Sequence, residues 1–170
     1  MHREGHYGAS LLAYAPLLFG AMALGFPTAG VGGAVLALAL AMVPDWDQQM
    51  PGVAHRGVTH TVHFAGAVAV VTALLGAGMG ATASDGNALV VIGGAVFGGA
   101  AGALAILGHI GADALTPMGV DPLGEDGPHI SYGVCRADNQ LGNYALLALG
   151  IAGGLVAFYA GRGVNTALGV

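Results

Sequence analysis

The stretch ALVVIGGAVFGGAAGALAILGHIG, residues 88–111, decides the fold class of this chain. It holds no charged residue, and at about 1.5 Å of rise per residue it is long enough to cross a hydrocarbon core of about 30 Å as a single helix. Three further apolar runs, 8–26, 60–80 and 141–161, reach or approach that length, and a fifth, 29–43, is short. The composition points the same way: 55% of residues are hydrophobic, 8% are charged, lysine is absent and the mean hydropathy is +0.74. An ordinary soluble domain carries far more charge. The expectation is an all-α integral membrane bundle of about five helices, four clear spans plus one short helix, forming a single domain over residues 1–170. Glycines at 76 and 80, at 94, 98 and 102, and at 150 and 154 repeat at four-residue spacing and predict seams where helix backbones approach closely. The run 8–26 has the look of a signal peptide, but no convincing small-x-small cleavage site follows before Pro27, so it is read as a retained helix.

Almost every side chain able to do chemistry falls into four short islands: His6, Pro44-Asp45-Trp46-Asp47, His55-Arg56-Gly57-Val58-Thr59-His60 and His109-Ile110-Gly111-Ala112-Asp113. Pro27 and Pro44 bound the second apolar run, since the residue before a proline is pushed out of the α region. Thr59 is the expected N-cap of the third helix, residues 81–87 form a short turn, and Asp138 or Asn139 caps the last helix after a long loop at 116–140. Counting crossings then brings all four islands to one side of the membrane. Arg3, Arg56 and Arg136 lie on that side and Arg162 on the other, so the positive-inside rule makes the active side the cytoplasmic face of the cell membrane. A net charge of −5 with four scattered arginines offers no basic stripe, which excludes nucleic acid as a partner. Cys135, the single cysteine, can form neither an intramolecular disulfide nor a zinc knuckle, so a metal would be held by nitrogen and oxygen.

The islands carry the donor types for that. His109 and Asp113, four apart on a helix, project from one face and can share one metal or hold adjacent ones. Asp45 and Asp47, two apart, point the same way if the segment is extended, and Trp46 between them suits the membrane interface. His55 and His60 bracket Arg56 and Thr59, which supply neutral imidazoles, a planar guanidinium for an oxyanion and a hydroxyl. His6 can fold back from the start of the first helix, while His63, one turn after His60, faces the same way and can hydrogen-bond a ligand from behind. The metal set expected is therefore His6, Asp45, Asp47, His55, His60, His109 and Asp113, around one or two divalent ions, zinc first, with manganese or magnesium as alternatives. No Gly-x-Ser-x-Gly, Walker loop or dinucleotide fingerprint is present.

Taken in order, Pro44-Asp45-x-Asp47, His55-Arg56-Gly57-x-Thr59-His60 and His109-x3-Asp113-x2-Thr116-Pro117-x-Gly119-Val120 resemble the YdjM/DUF457 family of membrane-bound proteins assigned as metal-dependent hydrolases. The likeness runs from His6 to about Pro122, with Gln48 standing where many members place a histidine. It implies a helical membrane bundle and hydrolytic activity, with Asp45, Asp47, His55, His60, His109 and Asp113 as metal ligands or catalytic groups. A fainter likeness to zinc-dependent phospholipase C, through His-x3-Asp, implies phosphoester substrates. The function expected is hydrolysis of a lipid or lipid-linked phosphoester by a metal-activated water, with Arg56 clamping the oxyanion, Thr59 assisting and Asp47 as general base. The competing reading is a membrane transporter or metal-binding structural protein without hydrolytic activity, which would run polar groups through the midplane.

Overall fold

A computed structural model of the chain describes residues 1–169 and consists of five α-helices and two short 3₁₀ turns. The helices are α1 (Arg3–Ala23), α2 (Pro27–Leu40), α3 (Val62–Ala83), α4 (Ala88–Ala114) and α5 (Gln140–Leu168); the 3₁₀ turns cover Pro44–Gln49 and Val58–His60. Pro27 opens α2 at a position where its missing N–H costs nothing, after a turn in which Gly25 takes φ 79°. Asn87 and Asn139 cap α4 and α5 through their side-chain oxygens. The cap of α3 is Thr61 rather than Thr59, because the chain first makes the 3₁₀ turn at Val58–His60 and only then enters the helix.

α1 and α4 form the centre of the bundle. α1 packs against α5, α4 and α2, α4 packs against α3, α1 and α2, and α3 and α5 flank them. Glycine sets these distances. A Cβ added at Gly94 would overlap the Gly76 carbonyl, one at Gly98 the Thr72 carbonyl and one at Gly150 the backbone of Gly8. Gly154, by contrast, has nothing within 4 Å and is no part of a seam. The core is accordingly small-residue, with Ala15, Ala37, Ala101, Ala105 and Ala157 around a fully buried Tyr14, whose hydroxyl donates to the Gly30 carbonyl at 2.8 Å.

Large apolar side chains point outward instead. Leu74 is 69% exposed, Met79 73% and Val156 68%, an arrangement that suits hydrocarbon as the surrounding solvent and not water. Four helical stretches are long and apolar enough to cross a membrane: Pro27–Gln49, Val62–Ala83, Ala88–Ala114 and Gln140–Leu168. Their number matches the expectation but their membership does not. The run at 29–43 gains length from the 3₁₀ turn that continues α2, whereas α1, expected as a span, is outside the four. α1 turns His6, Ser10 and Tyr14 into the interior, and Ser10 donates to the Ala105 carbonyl of α4 at 2.9 Å.

Candidate metal centre

The start of α1, the turn after α2, the turn before α3 and the last turn of α4 meet at one end of the bundle, which the antiparallel α3–α4 hairpin and the α1–α4 crossing make unavoidable. They deliver His6, Asp45, His60 and His109 with Asp113 to a common point. All five are buried except Asp45, whose side chain is 12% exposed. His109 and Asp113 do share a face: the Nε2 of one and Oδ2 of the other are 3.7 Å apart.

The tautomers of the two innermost imidazoles follow from their other nitrogens. His109 Nδ1 lies 2.6 Å from the Ala41 carbonyl, which can only accept, so Nδ1 carries the proton and Nε2 a lone pair. His60 Nδ1 lies 3.3 Å from Asp47 Oδ2 and 3.0 Å from the Thr59 hydroxyl, whose own proton goes to Asp47, so His60 Nε2 also bears a lone pair. These two Nε2 atoms are 3.1 Å apart, a spacing at which facing lone pairs repel unless a proton on one of them or a metal ion stands between them. Asp45 Oδ1 is 3.4 Å from His60 Nε2 and 3.6 Å from His109 Nε2, and Asp113 Oδ2 is 3.4 and 3.7 Å from the same atoms. A tetrahedral ion with bonds of about 2.0–2.2 Å sets its ligand atoms about 3.3–3.6 Å apart. Asp113 Oδ2 is moreover buried with no hydrogen-bond partner, an arrangement that is costly for a carboxylate oxygen without a cation. The residues fit a divalent ion.

Asp47 does not join this cluster. In a 3₁₀ turn of about three residues per turn, positions two apart point roughly 120° away from each other, not in parallel as in a strand. Asp45 therefore faces the centre while Asp47 faces the 55–60 loop behind it. There Asp47 Oδ1 accepts from His55 Nδ1 at 2.9 Å, and Oδ2 from Thr59 Oγ1 at 2.7 Å and the Arg56 amide at 3.2 Å. Its role is to orient His60 and His55. Thr59 is likewise spent on Asp47.

Arg56 spans the centre's outer edge. Its guanidinium donates to Asp113 Oδ1 at 2.8 Å, to the Gly119 carbonyl at 2.7 Å and to Thr116 Oγ1 at 3.3 Å, and the residue adopts φ 61°, a left-handed conformation uncommon for a side chain of this size. The geometry makes Arg56 the tie between Asp113 and the loop after α4. Thr116 and the Gly119 carbonyl are functional groups that residue chemistry alone did not single out, although both lie in the Thr-Pro-x-Gly block. Gly119 has φ 63°, and a Cβ there would meet the Ile130 carbonyl at 2.6 Å. Asn143 was also missed; buried at the start of α5, it bonds the Ala137 and Asn139 carbonyls and accepts from the His2 amide.

Burial works against charging His60, yet Asp113 and Asp45 outweigh it and raise its pKa above the usual imidazole value. His6 goes the other way: burial, reinforced by neighbouring His109, pushes it down to about 3 and keeps it neutral. Its ring stacks on His109, centroids 3.7 Å apart and planes within 7°. His55 is set apart, its side chain 39% exposed at the mouth of a cleft of about 530 Å³ lined also by Arg56, Val58, His63, Asp121 and Glu125. Two groups of side chains place ligand atoms close enough to hold a metal ion, His6 with Asp45, His109 and Asp113, and Asp45 with His55 and His60. His63 stays on the cleft wall away from both groups, His129 pairs with Asp121 at 2.8 Å, and Gln48 is exposed.

No curated protein and no solved structure matches the chain. A family model does, that of the YdjM inner membrane protein, over residues 5–168. That span takes in all of the helices but the first two residues of α1, and every residue of the cluster, and the chain belongs to the YdjM family of inner membrane proteins.

Proposed function

We propose that the protein is a membrane-bound, metal-dependent hydrolase of phosphoesters carried by lipids or lipid-linked molecules, with zinc as its first-choice ion. The observation that carries this reading is the pair of lone-pair-bearing nitrogens, His60 Nε2 and His109 Nε2, facing each other between Asp45 and Asp113. A divalent ion held by these four residues supplies Lewis acidity toward a phosphoryl oxygen and lowers the pKa of a water. Asp47 holds His60 in the ligating tautomer, and Arg56 holds Asp113 and the Gly119 loop in register. His55, backed by buried Asp47 and open to the cleft, moves the proton. Asp47, the base expected from sequence, has both oxygens engaged by protein donors and serves this step through His55.

The lipid part of the proposal is supported by the loops around the centre. Trp46, between the two aspartates, is 53% exposed, and Val58, Met118, Leu123 and Tyr132 are exposed on the same end, a composition suited to the headgroup layer. Arg3 and Arg136 at this end, against Arg162 at the other, favour the cytoplasmic face. Transport is disfavoured because, among the described residues, the buried histidines and aspartates gather at this end of the bundle, while Thr72 is the buried polar group of α3. The test is elemental analysis of detergent-purified protein alongside turnover of bis(p-nitrophenyl) phosphate and phosphatidylglycerol vesicles. Stoichiometric metal and phosphoester cleavage, both lost in His109→Ala/Asp113→Ala, are expected; a wild type that takes up no zinc or manganese overturns the hydrolase.

A further inference from the structure

We propose that the centre holds two divalent ions, the second bound by His6 Nε2 together with Asp45 Oδ2 and Asp113 Oδ1, so that both aspartates bridge the pair. This rests on the metal reading of the first position and extends it. The observation is that each aspartate divides its oxygens between two sets of imidazoles. Asp45 Oδ1 and Asp113 Oδ2 face His60 and His109. Their other oxygens, Asp45 Oδ2 and Asp113 Oδ1, each lie 3.7 Å from His6 Nε2. That is the ligand spacing of a second ion, within a few tenths of an ångström of the roughly 3.3–3.6 Å set by about 2.0–2.2 Å bonds.

The stacked rings set the distance between the two positions. The His6 and His109 rings are stacked and nearly parallel with centroids 3.7 Å apart, and both present Nε2 to the same two carboxylates. Ions at the ends of two such parallel rings stand about as far apart as the rings, which falls in the range of about 3.5–4 Å typical of two-metal phosphoester sites. Such a pair would stabilise the oxygen of the attacking water and the leaving oxygen of the phosphoester, whose P–O bond breaks as the new one forms.

The second position is the weaker. His109 and His60 have their Nδ1 protons fixed by Ala41 and Asp47, but His6 Nδ1 is buried with no partner while its Nε2 faces the Met1 carbonyl, which can only accept, so Nε2 carries the proton here and must pass it to Nδ1 before it can ligate. His6 Nε2 currently meets the Met1 carbonyl at 3.0 Å, and Asp113 Oδ1 meets the Met1 backbone nitrogen at 2.6 Å as well as Arg56. A second ion therefore displaces Met1 from the site, and an affinity about 10–100-fold below that of the first is expected from the missing outer partner.

The experiment is a manganese titration of the chelator-stripped, detergent-purified chain, read by elemental analysis and electron paramagnetic resonance. One equivalent should give the spectrum of an isolated ion, and a second, weaker equivalent should convert it to that of a spin-coupled pair. His6→Ala should stop at one uncoupled equivalent. Saturation of the wild type at one ion, or a coupled pair that survives in His6→Ala, overturns the second position while leaving the hydrolase standing; no manganese bound at all removes both. If His6→Ala fails to fold, the wild-type spectrum decides alone.

Discussion

Asp47→Asn separates a residue that holds the metal from one that holds a ligand. Asp47 accepts from His55 Nδ1, Thr59 Oγ1, the Arg56 amide and, at 3.3 Å, His60 Nδ1. An asparagine keeps one acceptor oxygen and turns an amide donor toward at least one of these donors, so a buried group is left unpaired at about 1–3 kcal/mol. It also frees the His60 ring to change tautomer, and loss of such an outer partner typically weakens metal binding about 10–100-fold. With zinc at about 100 times the wild-type Kd, binding stabilises the wild type by about 2.7 kcal/mol, whereas a variant 10–100-fold weaker gains only about 1.4 down to 0.4 kcal/mol. The assay is chelator-competition titration for Kd, paired with thermal unfolding in detergent with and without zinc. Unchanged affinity in Asp47→Asn would refute the outer-partner role, and complete loss of stoichiometric metal would make Asp47 a ligand after all.

Asp113→Asn is expected to abolish both metal uptake and turnover while helical content by circular dichroism stays intact; an active variant would contradict the ligand assignment. Gly94→Ala forces a Cβ against the Gly76 carbonyl, a backbone atom that cannot rotate away, and should destabilise the α3–α4 pair by about 1–3 kcal/mol. Gly111→Ala, with nothing within 4 Å, should be neutral in the same thermal assay. The pH dependence of the metal-free protein follows from two opposed histidines. Raised His60 contributes stability that is present below its unfolded pKa and is lost as pH rises through its folded value; lowered His6 removes stability as pH falls below the unfolded value of about 6.5. Chemical unfolding of stripped protein should therefore show a maximum near pH 6.5, and a monotonic profile from pH 5 to 8 would contradict the assigned environments.

The parts of this molecule that were legible in its sequence are those set by one-dimensional spacing. Apolar runs gave the helices, four-residue glycine spacing gave the Gly76–Gly94–Gly98 seam, and His109-x3-Asp113 gave a shared helical face. Asp45 reaches the centre as expected, but Asp47 does not point with it, because i, i+2 spacing means parallel side chains only in an extended segment; Pro44 instead opens a 3₁₀ turn, which sends one carboxylate to the centre and the other to the loop behind it. Arg56 reads as a free oxyanion clamp until its partners are known, and two of these, Thr116 and Gly119, lie about 60 residues downstream, where no local pattern connects them. The length of α1 was legible as an apolar run, but the face that it turns inward, with His6, Ser10 and Tyr14, was not.

That inward face explains why the centre sits where it does. Three carboxylates, Asp45, Asp47 and Asp113, gather at the end of an otherwise apolar bundle, where the Arg56 guanidinium and the Met1 nitrogen both bond Asp113 and the Arg56 amide bonds Asp47, so acidic groups outnumber the cations that meet them. Deeper in the bundle such a charge would have no access to water or ions. At the outer edge it would be screened and weak. Placing it under the 116–140 loop gives both burial and supply: Val62 bonds the Pro122 carbonyl, while Tyr132 and Val134 cap the carbonyls of Ala114 and Leu115 at the end of α4. The loop thus closes the helix that carries His109 and Asp113, while the cleft beside His55 stays open. Buried imidazoles and carboxylates reached from one side are the arrangement that the proposed metal-assisted hydrolysis at a membrane surface would require.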